Sequence, residues 1–263
     1  MTTTAGLRFA ASVVANRVLY GQTWQMLLDA PGPVRAGRPG QFVMLRCADA
    51  RSCDPLLPRA LSIAGYERPA GRARLRLLYD VVGRGTAWMT ERTAGDAVEV
   101  TGPLGHAVRL RPGTRHLLLV AGGIGIAPFP WMAALAAERG VSVTVIHGAR
   151  TAEELLPPGE LHPEVELVTA TEDGSAGVQG RVTDALPDYL DWADEIVACG
   201  PVPMFRAMAG LVRRSGYRRP VHLLMEEIMA CGTGICYSCA VETRRGVRLV
   251  CKDGPVFELR ELF

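Results

Sequence analysis

The run at residues 230–251, ACGTGICYSCAVETRRGVRLVC, restricts what this chain can fold into more than any other stretch of it. It places thiols at Cys231, Cys236, Cys239 and Cys251, a C-x4-C-x2-C-x11-C pattern that sets three on one tight loop and returns a fourth from the far side of a hairpin. That is the spacing of a plant-type 2Fe-2S site, where bridged irons are held by four thiolates. A loop wrapped that closely needs small residues between its ligands, and Gly232, Thr233, Gly234 and Ser238 provide them. Zinc also takes four cysteines, but zinc ribbons usually present two C-x2-C knuckles and this run has one. A disulfide framework is disfavoured, because nothing in the chain reads as a secretory leader and a C-x2-C pair is a redox motif rather than a staple.

A chain of 263 residues is long enough for two packed domains and a small appendage, and 48% apolar with 21% charged residues is an ordinary soluble composition. The net charge of +2 argues against a polyanionic partner. No run of about 18 apolar residues exists, so no membrane span is expected. The N-terminal segment is too interrupted for a signal peptide and alternates like a strand. We therefore expect a cytoplasmic protein, and the odd remainder of Cys47, Cys53 and Cys199 fits a reducing compartment.

The first hundred or so residues read as short strands between Gly and Pro punctuation: RFAASVVANRVL, WQMLLDA, GQFVMLRC, ALSIAGYE, ARLRLLYDVV and DAVEVTGPLG. With no helix before Arg84, the pattern predicts an antiparallel β-barrel of about six strands. Two pieces of it carry chemistry. In Arg59-Ala60-Leu61-Ser62 the arginine offers a planar fork for a pyrophosphate and the serine a hydrogen bond for a flavin edge. The two side chains share a face only if the strand twists or bends between them. Leu78-Tyr79-Asp80 then leads through Gly83-Arg84-Gly85-Thr86 into a helical segment expected from Thr86 to Thr93, whose first amides suit phosphate oxygens. Taken singly, an R-x-x-S strand is more often a solvated face and a G-x-G-T turn only a turn.

From about Arg115 strands and helices alternate. HLLLVA is a continuous apolar run, as in a buried parallel strand, and leads into Gly122-Gly123-Ile124-Gly125-Ile126-Ala127-Pro128 and the helix FPWMAALAAER. VSVTVIHGA, VELVTATED and EIVACGP repeat the strand pattern, with PMFRAMAGLVRRSG as a helix between the last of these and VHLLMEE, which predicts an α/β doubly wound nucleotide-binding domain with ligands beyond the carboxyl ends of its strands. The dinucleotide fingerprint is incomplete, since Pro128 stands at the third glycine, but proline is tolerated in a helix's first turn and the phosphate-facing helix start is expected to survive. A tight turn without ligand is the alternative there. Thr171-Glu172-Asp173-Gly174 and Cys199-Gly200-Pro201 fall at the same edge, although a free cysteine such as Cys199 is more often a buried small apolar residue. We expect boundaries at 1–105 for the barrel, 106–218 for the nucleotide domain and 219–263 for a small 2Fe-2S cysteine-rich domain.

The five histidines show no metal spacing, no nucleophile elbow is visible, and Glu226 and Glu227 would face opposite ways at a strand end. No catalytic side chain is assigned and no hydrolase is read.

The order of parts is more specific than any part. The barrel with R-x-x-S and G-x-G-T, then G-G-I-G-I-A-P, TEDGS, GRVTD and ACGPVPM, then MEEIMACGTGICYSCAV and VCKDGPVF, resembles the ferredoxin-NADP reductase superfamily. With the cysteine tail it is similar to the electron-transfer subunits of NAD-dependent, B-type dihydroorotate dehydrogenases over nearly the whole chain. The resemblance implies FAD at Arg59, Ala60, Leu61 and Ser62, its nucleotide lined by Leu78, Tyr79 and Asp80, and its phosphates at Gly85 and Thr86. It implies NAD flanked by Gly122, Gly123, Gly125, Cys199, Gly200 and Pro201, and the cluster on the four cysteines. It also implies an FMN-containing dihydroorotate dehydrogenase catalytic subunit as partner, in a heterotetramer of two of each. Ala60 departs from the family's usual proline, and the last cysteine gap is short, which bears on the hairpin's length.

The three cofactors belong together chemically: a nicotinamide moves a hydride, a 2Fe-2S cluster moves one electron, and a flavin handles both. The expected role is electron transfer from the partner, through cluster and FAD, to NAD+ in pyrimidine biosynthesis. Alternatives kept open are an FAD and 2Fe-2S reductase subunit of a cytoplasmic hydrogenase or ferredoxin-NADP transhydrogenase, and a zinc-bearing scaffold without redox turnover. Arg150, after the second strand of the nucleotide domain, is a candidate for meeting a ribose phosphate, although an isolated arginine there is more often a surface residue, and NAD against NADP is left undecided.

Overall fold

The computed structural model describes residues 8–30, 37–49, 51–67 and 73–263; the first seven residues, whose alternation was read with the first strand, lie outside them. Strands β1 (Arg8–Tyr20), β2 (Thr23–Ala30), β3 (Phe42–Leu45), β4 (Arg59–Glu67), β5 (Ala73–Asp80) and β6 (Ala97–Leu104) close an antiparallel barrel in the order β1-β2-β5-β4-β3-β6. Period-two alternation drives it: along β6 every second residue from Val98 to Leu104 is buried. The inward set includes Val13, Met26, Leu28, Leu45, Ile63, Leu75, Leu77 and Val100. Closure removes the unpaired edges that an open sheet of this size would expose.

Helix α1 (Arg84–Thr90) is displaced from the expected span of Thr86 to Thr93. Gly83 starts it earlier. Asn16 ends it, because its Nδ2 donates to the carbonyls of Met89 at 2.8 Å and Arg92 at 3.0 Å, satisfying groups at the helix end from the neighbouring strand.

The second layer contains β7 (His116–Gly122), α2 (Phe129–Ala137), β8 (Ser142–Ala149), β9 (Glu166–Thr171), β10 (Val178–Gln179), α3 (Val182–Ala185), β11 (Glu195–Cys199), α4 (Val202–Ser215) and β12 (Val221–Leu224). The hairpin β13 (Ala240–Thr243) and β14 (Gly246–Leu249), the short helix α5 (Val250–Asp253), β15 (Val256–Glu258) and α6 (Leu259–Leu262) complete the chain. The large sheet runs β10-β9-β8-β7-β11-β12-β15, parallel except for β15, which pairs antiparallel with β12. Successive strands go to one side of β7 and then to the other, which opens a crevice at the carboxyl edge. α4 stops at Gly216, left-handed at φ 72°.

The expected boundary at residue 218 crosses this sheet. β12 lies beyond it yet pairs with β11 in parallel register, Ile196 opposite Val221 through Cys199 opposite Leu224. Its apolar run buries three of its four residues, so it belongs with the sheet rather than with the cysteine loop. Helix α2 wedges between sheet and barrel, where Trp131 stacks on Tyr66 of β4 at 6.3 Å between ring centroids. Arg76 of β5 pairs with Glu160 across the same seam.

Candidate functional site

The cysteine run folds as its spacing predicts, with Cys239 and Cys251 flanking the β13–β14 hairpin. Ala240 pairs with Leu249 at its base, the Val250 amide donates to the Cys239 carbonyl at 3.0 Å, and the Cys251 amide lies 3.4 Å from Cys239 Sγ. Both thiols are buried, Cys231 is half-buried and Cys236 is exposed. Cys231 interacts with Cys236, and Cys251 with both Cys239 and Cys231. Among the described residues no three Cys, His, Asp or Glu side chains converge to hold one ion. Four thiols on one loop and hairpin, with a single C-x2-C knuckle, are the donor set of a 2Fe-2S centre rather than of a two-knuckle zinc ribbon.

The backbone is shaped for the same donor set. Gly232 and Gly234 adopt positive φ, and a Cβ on Gly232 would stand 2.6 Å from Cγ of Met44 on the barrel. Partial burial raises the Cys231 thiol, but the amides of Thr233, Cys236 and Ile235 outweigh it and hold the group at about 6. Amides aimed at a sulfur stabilise thiolate, the form that binds iron. Cys251 is pushed up to about 12 by burial and by neighbouring Cys239.

A cavity of about 400 Å³ lies beside this loop. Arg59, Ala60, Leu61, Ser62, Leu78, Tyr79, Asp80 and Thr86 border it from the barrel side, Cys199 from the end of β11 and Glu226 from the segment after β12. Arg59 and Ser62 both reach it despite their odd spacing. Gly85 does not line it but supports it, since a Cβ there would stand 2.4 Å from the Arg59 Cζ. Tyr79 borders the cavity but is almost wholly buried. Strand alternation turns its ring into the barrel core, where it stacks on Trp24, and its hydroxyl donates to Asn16 Oδ1 at 2.9 Å. Thr86 Oγ1 accepts the Val82 and Gly83 amides at 3.0 and 3.2 Å, fixing the turn.

Glu226 and Glu227 do not end a strand. β12 stops at Leu224, and both carboxylates lie beyond it on the cavity wall. Cys199 is fully buried, and its Sγ lies 3.6 Å from Glu226 Oε1. Burial, reinforced by Glu226, raises this thiol well above its ordinary value, so Cys199 stays protonated and acts as a donor. Glu226 is exposed towards the cavity but crowded by protein on its other sides, and that crowding raises its pKa against the opposing hydrogen bond from Cys199.

A second crevice of about 460 Å³ opens at the carboxyl edge of the sheet. Gly122, Gly123 and Pro201 line it, as do Arg150, Glu154, Glu172, Arg181 and Thr183. Asp80 borders both spaces. Cys199 faces the first and Pro201 the second, with Gly200 between them at φ 156°.

Three of the residues expected to flank the dinucleotide, Gly125, Cys199 and Gly200, are not among those lining this crevice. Gly125 borders neither space; it is a packing glycine, whose Cβ would stand 2.2 Å from the Cys199 carbonyl oxygen. The α2 start is not phosphate-facing either. Gly123–Ile126 forms a 3-10 turn, α2 begins only at Phe129, and no α2 residue lines either space. The helix starts that do line the crevice are those of α3, through Val182 and Thr183, and α4, through Pro203 and Met204. Arg181 and Thr183 went unassigned in the sequence, where GRVTD figured only as part of a resemblance. His147, without metal spacing, is instead a buttress of the glycine turn, with Nε2 donating to the Gly123 carbonyl at 3.1 Å and Nδ1 accepting the Leu156 amide at 3.2 Å.

Family models agree with this layout. Residues 226–263 match the iron-sulfur cluster binding domain of dihydroorotate dehydrogenase B, and residues 119–210 match the oxidoreductase NAD-binding domain. The chain is 37% identical over 256 residues to the dihydroorotate dehydrogenase B (NAD(+)) electron transfer subunit of Geobacillus thermodenitrificans, covering 95% of this chain and 96% of that one. The corresponding subunit of Listeria monocytogenes serovar 1/2a is 37% identical over 263 residues, covering 97% and 99%. Among solved structures, a chain of an NADH-dependent reduced ferredoxin-NADP oxidoreductase superposes with a TM-score of 0.83 at 29% identity, covering 100% of this chain and 91% of that one. A ferredoxin NADP+ reductase from Neisseria gonorrhoeae shares the fold at a TM-score of 0.65 and 18% identity, covering 81% and 93%.

Proposed function

Because the chain belongs to the family of dihydroorotate dehydrogenase B (NAD(+)) electron-transfer subunits, we propose that it carries electrons released by dihydroorotate oxidation on a partner catalytic subunit to NAD+, through a 2Fe-2S cluster and FAD. The observation that carries this reading is adjacency. The space bordered by Arg59, Ser62 and Asp80 is also bordered by the run from Met225 to Met229 that leads directly into Cys231, and it shares Asp80 with the nucleotide crevice.

The chain's own residues bind and orient. Arg59, backed by Gly85, and Thr86 hold the FAD phosphate region, and Ser62 faces the flavin edge. Cys231, Cys236, Cys239 and Cys251 hold the cluster. Gly122, Gly123 and Pro201 hold the dinucleotide. When bound, FAD exchanges a hydride with the nicotinamide on one side and single electrons with the cluster on the other. The partner meets the chain at the cluster loop, where Cys236 is exposed and Ile228, Ile235 and Tyr237 leave 75%, 79% and 64% of their surfaces uncovered. A heterotetramer of two copies of each subunit, in the cytoplasm, suits a chain whose ligand thiols must stay reduced. We divide the chain into the barrel to residue 105, the sheet to about residue 224 and the cysteine segment after it, whose β15 returns to the sheet as its antiparallel edge.

A ferredoxin-linked transhydrogenase role has the solved oxidoreductase chain in its favour, but identity to the dihydroorotate dehydrogenase subunits is higher, 37% against 29%. The test is reconstitution with an FMN-containing dihydroorotate dehydrogenase catalytic subunit. Dihydroorotate-dependent NAD+ reduction that requires this chain is the expected result, and no stimulation on its addition rejects the reading.

A further inference from the structure

Past the end of β8 the Arg150 guanidinium is held at two points by one carboxylate. Its Nη2 lies 2.5 Å from Glu154 Oε1 and its Nε 3.2 Å from Oε2, while the Arg150 amide donates to Oε2 at 3.3 Å. Glu154 cannot easily move off with its partner, because the Ala152–Glu154 turn is fixed from both sides. Gly21 of the barrel packs so tightly on it that a Cβ there would stand 2.7 Å from the Glu153 carbonyl oxygen, and the Ala152 amide donates to Ser175 Oγ at 2.8 Å. Glu172 and Asp80 face the same space, so three carboxylates line the crevice against the two guanidiniums of Arg150 and Arg181. Glu172 and Asp80 add to the effect of Glu154 in raising the Arg150 pKa.

A dinucleotide whose pyrophosphate sits at the glycine turn runs its adenosine ribose past the end of the neighbouring strand. An acidic side chain there bonds the ribose 2′-hydroxyl, and an arginine there accommodates a 2′-phosphate. Both stand at this place, already bonded to each other. We propose that Glu154 is the residue that makes this crevice accept NAD(H) and reject NADP(H), by occupying the Arg150 fork and presenting its own carboxylate to the ribose.

This rests on the crevice being the dinucleotide site. A 2′-phosphate brings up to about two negative charges. It enters a space with an excess of carboxylate and finds its two-point partner taken. A 2′-hydroxyl meets no such repulsion and has a carboxylate to donate to.

Calorimetric titration of the FAD- and cluster-loaded protein with NAD+ and NADP+ tests this in wild type, Glu154→Gln, Glu154→Asp and the double variant Glu154→Gln with Arg150→Ala. In Glu154→Gln the ratio of the NADP+ to the NAD+ dissociation constant falls at least about ten-fold. Glu154→Asp, which keeps the charge, stays nearer wild type, and the double variant loses the gain because Arg150 is the group set free to receive the phosphate. A general loss of fold weakens both nucleotides and leaves the ratio in place. An unchanged ratio in Glu154→Gln, or a fall that persists without Arg150, overturns the proposal while the dinucleotide site stands. Failure of wild type to bind either nucleotide overturns both.

Discussion

The guanidinium of Arg59 rests so closely on Gly85 that a Cβ added to the glycine would stand 2.4 Å from Cζ and 2.5 Å from Nε. The atoms in the way are the far end of a flexible side chain, so Gly85→Ala is expected to cost little stability and to push the fork aside. FAD affinity then falls at least about ten-fold, or about 1.4 kcal/mol, while the melting temperature moves little. Gly83→Ala is the control, because nothing lies within 4 Å of a Cβ at that position. Fluorescence titration with FAD checks both, and equal affinities in the two variants reject a positioning role for Gly85.

Gly125 gives the opposite outcome. Its hypothetical Cβ meets the Cys199 carbonyl oxygen at 2.2 Å, the Cys199 carbonyl carbon at 2.5 Å and the Gly200 nitrogen at 2.9 Å, all of them backbone at the end of β11. Gly125→Ala must force the glycine turn away from β11, and overpacking of this kind costs about 3 kcal/mol. A thermal melt with a drop of several degrees is expected, and a variant as stable as wild type shows that the turn is not clamped there.

His147 makes the nucleotide layer sensitive to acid. Complete burial, only partly opposed by the Gly123 carbonyl, lowers its pKa from 6.5 to about 4, and both ring nitrogens are used in the neutral form. The unfolded chain takes up a proton near pH 6.5 that the folded imidazole refuses until about pH 4. Stability is therefore unaffected above pH 6.5, declines as pH falls from 6.5 to 4, and levels off below, with a total loss of about 3 kcal/mol. His147→Gln is expected to be less stable at neutral pH yet to show a flatter decline across that window. Melting temperatures at several pH values decide, and an unchanged slope removes His147 as the cause.

Sequence made visible what depends on local period and spacing. The alternation along β6, the continuous apolar run of β7 and the intervals between the four cysteines each announced their structure, because each is set by neighbours a few residues apart. What stayed hidden depends on packing between segments far apart in the chain. Gly125 looks like a phosphate-binding glycine until β11 arrives behind it. Tyr79 borders the cavity as expected, but the bond that fixes its hydroxyl comes from Asn16, far back in the chain. Arg181 and Thr183 enter the crevice only because the chain after β10 returns over the end of β8, and β12 joins the sheet because its apolar face finds β11. The pair Arg150 and Glu154 was half visible: the arginine was singled out, but not the carboxylate that occupies it.

The cluster and the flavin space draw on different residues, which makes their occupancies separable. None of the four cysteines proposed as ligands borders the cavity of Arg59 and Ser62, whereas Cys239 and Cys251 are buried together at the foot of the β13–β14 hairpin. Cys251→Ser replaces a soft thiolate by a hydroxyl at a buried position, and iron and acid-labile sulfide are expected to fall at least about ten-fold. FAD content is expected to persist. Electron flow from NADH to a small soluble acceptor that takes electrons from flavin then continues, while dihydroorotate-dependent NAD+ reduction in the reconstituted complex stops, because the one-electron path to the partner is broken on the cluster side. Loss of FAD together with iron would mean that the cysteine loop is needed to shape the flavin cavity. Retention of iron and sulfide in Cys251→Ser would remove Cys251 from the ligand set.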